Sequence, residues 1–119
     1  MDMGSHLKLL ERFLDLSSYR QQLVTTNIAN IDTPGYHTRD IDFRDELNRA
    51  MNGMDDKPKP VVSEIPGLIE RPDGNNVSID RESLLLAENQ LQFRLGVELV
   101  KNEFAMLKMA INEGGKGGT

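Results

Sequence analysis

The sequence predicts a mainly α protein in which long N- and C-terminal helices pack antiparallel in coiled-coil fashion, joined by an irregular middle segment holding a short helix and a small β-hairpin. Apolar residues recur at helical spacing from Leu7 to Ile31 and again from Asp80 to Ile111. The stretch between them is broken by Pro34-Gly35, Asn52-Gly53, Pro58, Pro60 and Pro66-Gly67, which suits turns and short elements only. At 119 residues the chain is one domain's worth, divided into a helix over 7–31, a turn and irregular segment over 32–79, a helix over 80–112 and a flexible tail over 113–119. Met1 to His6 are set aside from this reading.

Composition excludes several function classes. A net charge of -5 with no basic cluster argues against nucleic acid. With no cysteine there is neither a disulfide nor a thiolate metal site, which is compatible with an oxidising compartment. No apolar run reaches the roughly 20 residues needed to span a bilayer, so direct membrane insertion is not expected. The N-terminus carries no basic, apolar and small-residue secretory signal, so passage out of the cytoplasm would take another route.

In the first helix Leu10, Leu14, Val24, Ile28 and Ile31 share one row, and Leu9, Phe13, Leu16 and Leu23 the row beside it. Ser17, Arg20, Gln21 and Asn27 interrupt this apolar face. Buried polar groups need partners, so these residues either fix register and partner number, as in coiled coils, or sit at a solvated rim. The helix must stop at Thr33-Pro34-Gly35, where Pro34 and Gly35 fit the central positions of a type II turn. Asn27 and Asn30, one turn apart just before it, are expected to bond the last helix carbonyls or a neighbouring chain.

Farther on, Phe43 to Met51 predicts a short helix ended by Asn52-Gly53. Asp55 to Pro60 reads as a flexible connection, and 60–65 with Leu68-Ile69 as the arms of a hairpin about Pro66-Gly67. Asp73-Gly-Asn-Asn lacks the closing glutamate of a calcium loop and reads as a turn. In the second long helix Asp80 is the expected N-cap, with Glu82 in the first turn. Phe93, Val97, Val100, Phe104, Leu107 and Ile111 alternate by four and three, a coiled-coil seam. Leu91, Leu95, Leu99, Met106 and Met109 form a second stripe on roughly the opposite face. The first helix would cover one stripe, leaving another subunit as the natural cover for the other. The glycine-rich end, Gly114 to Thr119, is expected to fray.

No catalytic, cofactor or metal site emerges. The histidines are His6 and His37, and His37 has no carboxylate or histidine at local ligand spacing. Asp40 and Asp42 point to opposite sides of an extended chain, unsuited to a carboxylate dyad. The chain is therefore expected not to be an enzyme, and the residues alone indicate a helical module for self-association or partner binding.

Two sequence blocks sharpen this. Asn27-Ile-Ala-Asn-Ile-Asp-Thr-Pro-Gly-Tyr36, followed by Arg39-Asp-Ile-Asp-Phe43, resembles the N-terminal signature of the bacterial flagellar rod and hook family. Asp73-Gly-Asn-Asn-Val-Ser-Ile-Asp-Arg-Glu82, running into Leu86-Ala-Glu-Asn-Gln-Leu91, is similar to the C-terminal half of that family's proximal rod member. The resemblance implies a structural subunit of the proximal rod of the flagellar basal body, transmitting torque through its terminal helices. It implies as partners other rod subunits, the adaptor to the membrane-embedded ring, and the flagellar type III export apparatus. It also implies a periplasmic rod location reached without a cleaved signal peptide. Phe43-x-x-x-Leu47 looks like the element by which early substrates of that family engage the export gate, although Phe93-x-x-x-Val97 fits the same pattern and core packing is the competing reading of both. Asn27, Asn30 and Tyr36 are then candidate inter-subunit contacts alongside both stripes of the second helix; for Tyr36, packing on its own helix end is the competing reading. The alternative from another class is a soluble helical adaptor or chaperone-like partner-binding module.

Overall fold

The computed structural model describes residues 3–53 and 59–117, so most of the expected Asp55–Pro60 connection lies outside the described residues. In chain order the elements are α1 (Met3–Ala29), β1 (Arg39–Ile41), α2 (Phe43–Met51), β2 (Val62–Glu64) and α3 (Ile79–Gly117). The long helices pack on one another, α2 and β1 lie against α1, and the whole is a rod 75 Å long.

Local chemistry explains the element ends. α1 gives way after Ala29 to tightened turns, in which Asn30 N bonds both Thr26 O and Asn27 O and Ile31 N bonds Ile28 O. The Thr33–Tyr36 turn follows, closed by Tyr36 N to Thr33 O with Gly35 at φ 75°. That positive φ at the third position defines the expected type II turn. α2 begins at Phe43 as the sequence suggests, capped by Asp42, whose carboxylate accepts from Asp45 N at 3.0 Å, and Gly53 (φ 77°) follows its end.

Three expectations are corrected. Ser78, not Asp80, caps α3, its hydroxyl accepting from Arg81 N at 3.2 Å, while Asp80 and Glu82 occupy the first turn. α3 also runs through Gly117 instead of fraying at Gly114. An interior glycine costs a helix only about 1 kcal/mol and no proline interrupts the run, so propagation continues. The third correction concerns the sheet. β2 pairs antiparallel with β1, Arg39 opposite Glu64 and Ile41 opposite Val62, and Ile65 N continues to Thr38 O. Leu68-Ile69 was the expected partner, but the Pro66-Gly67 turn carries it away from β2 and leaves Ile69 90% exposed. Arg39–Ile41 offers the better ladder because Ile41 is buried and anchors it.

The interior is unusual in its polarity. Leu16, Val24, Ile41 and Val77 are its fully buried apolar residues among those described, beside Ser17, Asn27, Thr38, Asp40, Glu46, Asn75, Asn76, Glu82 and Asn89. Buried polar groups must be hydrogen-bonded, so this core is held by specific geometry as much as by apolar area.

Candidate assembly interface

The two signature blocks fold onto each other and make a joint at the base of the helical pair. The Thr33–Tyr36 turn meets the Arg71–Gly74 turn: Gly35 N donates to Asp73 O at 2.8 Å, and a methyl group on Gly74 would stand 3.3 Å from Gly35 Cα. Asn75 Nδ2 donates to both Asn30 O and Thr33 O at 2.9 Å, closing the end of α1. Asn76 clasps the next residues, its Oδ1 accepting from Thr38 N at 2.7 Å and its backbone N–H donating to Tyr36 O. The Arg71 guanidinium donates to Ile31 O.

At the centre of the joint lies Asn27. Its amide nitrogen donates to Arg39 O at 2.9 Å and Glu82 Oε1 at 3.1 Å, and its oxygen accepts from Tyr36 OH at 2.9 Å and Arg39 N at 3.1 Å. The side chain thus binds four groups from three residues of the same chain. Beside it, Arg20 grips Asp40 with two nitrogens at 3.2 and 2.9 Å, and Arg81 bridges Asp40 Oδ2 and Glu82 Oε1 at 2.9 Å each. Burial raises the Glu82 pKa, opposed by the Arg81 charge and the bonds from Asn27 and Arg81; burial likewise raises that of the Tyr36 phenol. Asn30 acts locally, its amide donating to Thr26 O at 2.8 Å, the helix-carbonyl role expected of it.

Along the pair, α1 rests on a heptad row of α3 that contains no large apolar side chain: Glu82, Asn89, Gly96 and Glu103. Glu82 meets Asn27, and Asn89 Nδ2 donates to Ser17 O at 2.8 Å and Gln21 Oε1 at 3.1 Å. A Cβ at Gly96 would lie 2.7 Å from Leu14 Cδ2 and 3.0 Å from the Phe13 ring, and His6 lies 3.4 Å from Glu103. Gly96 is therefore where the helices approach most tightly among these contacts. Of the polar interruptions in α1, the Arg20, Gln21 and Asn27 side chains find partners inside the chain, which fixes the register of the pair.

The contact row lies beside the expected seam. At about 100° per residue, the row Phe93, Val97, Val100, Phe104, Leu107 and Ile111 centres roughly 50° to one side of the contact row. Val97, Val100 and Leu107 are half-buried, whereas Phe93, Phe104 and Ile111 are exposed. Leu91, Leu95, Leu99, Met106 and Met109, joined by Leu84, lie roughly 100° to the other side and are all exposed, Leu91 at 65% and Leu95 at 57%. α1 sits between the two stripes and fully covers neither. On the Phe93–Val97 side a groove of about 690 Å³ runs between Ser17, Gln21 and Asn89 on one wall and Phe93, Arg94, Val97 and Lys101 on the other. Ser17 Oγ and Asn89 Oδ1 border it, buried and without a partner among the described residues. Each such group costs about 1–3 kcal/mol.

The other sequence-singled residues are placed as follows. Phe43 packs edge-on to Phe13 at 5.4 Å between ring centres, and Leu47 is half-buried one turn along α2. His37 gains carboxylates distant in sequence, Glu64 at 3.2 Å from Nδ1 and Glu70 at 2.9 Å from Nε2. Sequence reasoning missed Asn75, Asn76, Asn89, Gly96 and the Arg20–Asp40–Arg81–Glu82 cluster; the Asn-Asn pair and the polar breaks in the α1 face were the signals for them.

Among the described residues no three histidine, cysteine or acidic side chains converge as a metal site, and no helix is long and apolar enough to cross a membrane. The arrangement defines a helical structural subunit with a closed polar joint and uncovered apolar flanks. The chain is 31% identical to the flagellar basal body rod protein FlgB of Salmonella typhimurium, across 95% of this chain and 96% of that one. Similar relatives are FlgB of Bacillus subtilis, 30% identical across 88% of this chain and 92% of that one, and of Borrelia hermsii, 31% across 87% and 93%. No family model matches the chain. The chain belongs to the FlgB family of flagellar basal body rod proteins.

Proposed function

We propose that the chain is a non-catalytic structural subunit of the proximal flagellar rod, working in the periplasmic part of the basal body. The observation that carries this reading is the pair of apolar flanks on α3 that the subunit's own helices leave open, next to a joint whose polar groups are largely satisfied internally. Large uncovered apolar surface on a small protein marks a contact with another molecule. Phe93, Val97, Val100, Phe104, Leu107 and Ile111 form one assembly face in this reading, and Leu91, Leu95 and Leu99 the other. Other rod subunits and the adaptor to the membrane-embedded ring are the partners, and packing between neighbouring helices transmits torque. Asn27 takes no part in such contacts, because its amide is consumed within the chain. Asn30 and Tyr36 stand at the edge of the joint and reach neighbours through the surface they shape.

Delivery occurs through the flagellar type III export apparatus without signal cleavage. Phe43 and Leu47, packed in the folded subunit, are open to an export gate only before folding. The relatives, rod proteins across nearly their whole length, favour this reading over a soluble adaptor.

Motility tests it. In a bacterium lacking its own FlgB, the natural chain should restore swimming, and the Leu91→Glu/Leu95→Glu variant, with an unchanged urea midpoint, should not. Full swimming with the variant would remove the assembly role from this flank; failure of the natural chain in its own species would remove the rod reading.

A further inference from the structure

Asn52 and Gly53 end α2 in the open. The Asn52 side chain is exposed, and nothing lies within 4 Å of where a Cβ would stand on Gly53 (φ 77°). One long bond holds the Gly53 N–H, 3.3 Å to Ala50 O. A glycine after an asparagine leaves its backbone nitrogen unshielded and its dihedrals free, so that nitrogen can swing onto the asparagine's own side-chain carbonyl carbon. The chain's other such pair, Asp73-Gly74, is locked. Gly74 N donates to Arg71 O at 2.8 Å, Asp73 Oδ1 accepts from Asn75 N at 3.0 Å, and Gly74 presses on Gly35 Cα. Asn48, Asn102 and Asn112 are exposed as well, but they lie within α2 and α3 and precede Arg49, Glu103 and Glu113, whose side chains crowd the attack. Gly53 also shares a cavity of about 350 Å³ with Lys8 and Arg12 of α1.

We propose that Asn52 is a site of covalent self-modification, converting to aspartate and isoaspartate at the mouth of the Lys8–Arg12 cavity. The Gly53 nitrogen gives its proton to water and attacks Asn52 Cγ. The new N–Cγ bond closes a five-membered succinimide as the Cγ–Nδ2 bond breaks, and Nδ2 takes up a proton from water and leaves as ammonia. Water then opens the ring at either carbonyl. Breaking N–Cγ gives aspartate; breaking the bond from that nitrogen to the Asn52 backbone carbonyl carbon gives isoaspartate, with one methylene added to the main chain. The net change is asparagine plus water to an aspartyl residue plus ammonia, with no redox step. The positive charge of Lys8 and Arg12 favours both the deprotonated nitrogen and the oxyanion of the tetrahedral intermediate. The product carboxylate then replaces a neutral amide beside that basic cavity. This chemistry needs no partner and holds whatever the subunit assembles with.

Peptide mapping by mass spectrometry of the purified full chain, sampled during incubation at neutral pH, tests the proposal. The peptide holding Asn52 should gain about 1 Da and split into aspartyl and isoaspartyl forms. Its conversion should run roughly tenfold or more faster than at Asn48, Asn102 or Asn112, and faster still as pH rises. Asn52→Gln, which would need a larger ring, should remove the change from that peptide. Lys8 is exposed, so Lys8→Gln should keep the natural urea midpoint. It should slow conversion about twofold or more in the folded chain and leave it unaltered in urea, where the cavity is gone. Conversion at Asn52 no faster than at the three helical asparagines, or an aspartyl product without isoaspartate, would overturn the proposal. A folded Lys8→Gln chain converting at the natural rate would overturn the part given to the basic cavity.

Discussion

Asn27 and Glu82, 55 residues apart in sequence, meet at 3.1 Å with both side chains closed off from solvent. This one contact ties the end of α1 to the start of α3. Around it, Tyr36 and Arg39 complete the amide's bonds, so the residue specifies where three stretches of backbone lie.

Asn27→Ala should therefore destabilise the fold by about 2–4 kcal/mol, since it strands several buried partners at once. Asn30→Ala, which loses a bond to its own helix and one to Thr33, should cost under about 1 kcal/mol. Urea unfolding of the two variants checks the contrast; equal losses would contradict it.

The Glu82 carboxyl titrates above its ordinary range in the folded chain because burial penalises its charge. A raised pKa means the folded state holds the proton more tightly than the unfolded chain. Its contribution is thus full below the ordinary carboxylate range and falls away as pH rises through the raised value. Glu82→Gln keeps an acceptor for Asn27 and Arg81 without the charge. It should flatten that part of the stability–pH profile while shifting stability at neutral pH by about 1 kcal/mol or less. A profile unchanged by the substitution would contradict the assignment.

Much of the fold was legible because it obeys simple periodicities. The two long helices, α2 with its Asn52-Gly53 stop, and the Pro34-Gly35 turn all follow from local rules. What escaped is the contact row. Hydrophobic periodicity points to large apolar residues, yet α1 rests on Glu82, Asn89, Gly96 and Glu103, two acids, an amide and a glycine. Gly96 matters through the side chain it lacks, and Glu82 through a partner that only the tertiary fold brings near. The sheet was missed for a similar reason: β2 reached past the adjacent Leu68-Ile69 to an anchor across α2.

Two glycines at similar φ should respond differently to alanine. Gly74 (φ 84°) and Gly67 (φ 81°) both occupy the left-handed region, which penalises a side chain by about 1–2 kcal/mol. Only Gly74 also presses against backbone, at Gly35 Cα, whereas nothing lies within 4 Å of a Cβ at Gly67. Gly74→Ala should lose at least about 1 kcal/mol more than Gly67→Ala, because overpacking adds to strain. Thermal or urea unfolding decides it, and equal losses would contradict the stacked turns.

His37 holds the Glu64–Glu70 stretch against the joint. A neutral imidazole has one N–H, so bonds to Glu64 and Glu70 together require the protonated ring. The hydrogen bond with Glu64 is the main cause raising its pKa, helped by both carboxylate charges and opposed by desolvation. The stabilising contribution is therefore full below the ordinary histidine range and is lost as pH rises through the raised value. An NMR titration should place the His37 midpoint higher in the folded chain than in urea, and Glu64→Gln should lower it. Matching midpoints would refute the pairing.

Hydrogen exchange on the isolated chain and on assembled basal bodies bears most directly on the central claim, that the two sequence blocks close the subunit's own joint and leave α3 to be completed by neighbours. Amides at the joint, such as Gly35, Thr38 and Asn76, should be protected in both samples, whereas those from Leu99 to Ile111 should exchange rapidly alone and slow at least tenfold in the rod. Rapid exchange throughout the joint of the isolated chain, or equal protection of 99–111 with and without the rod, would contradict it.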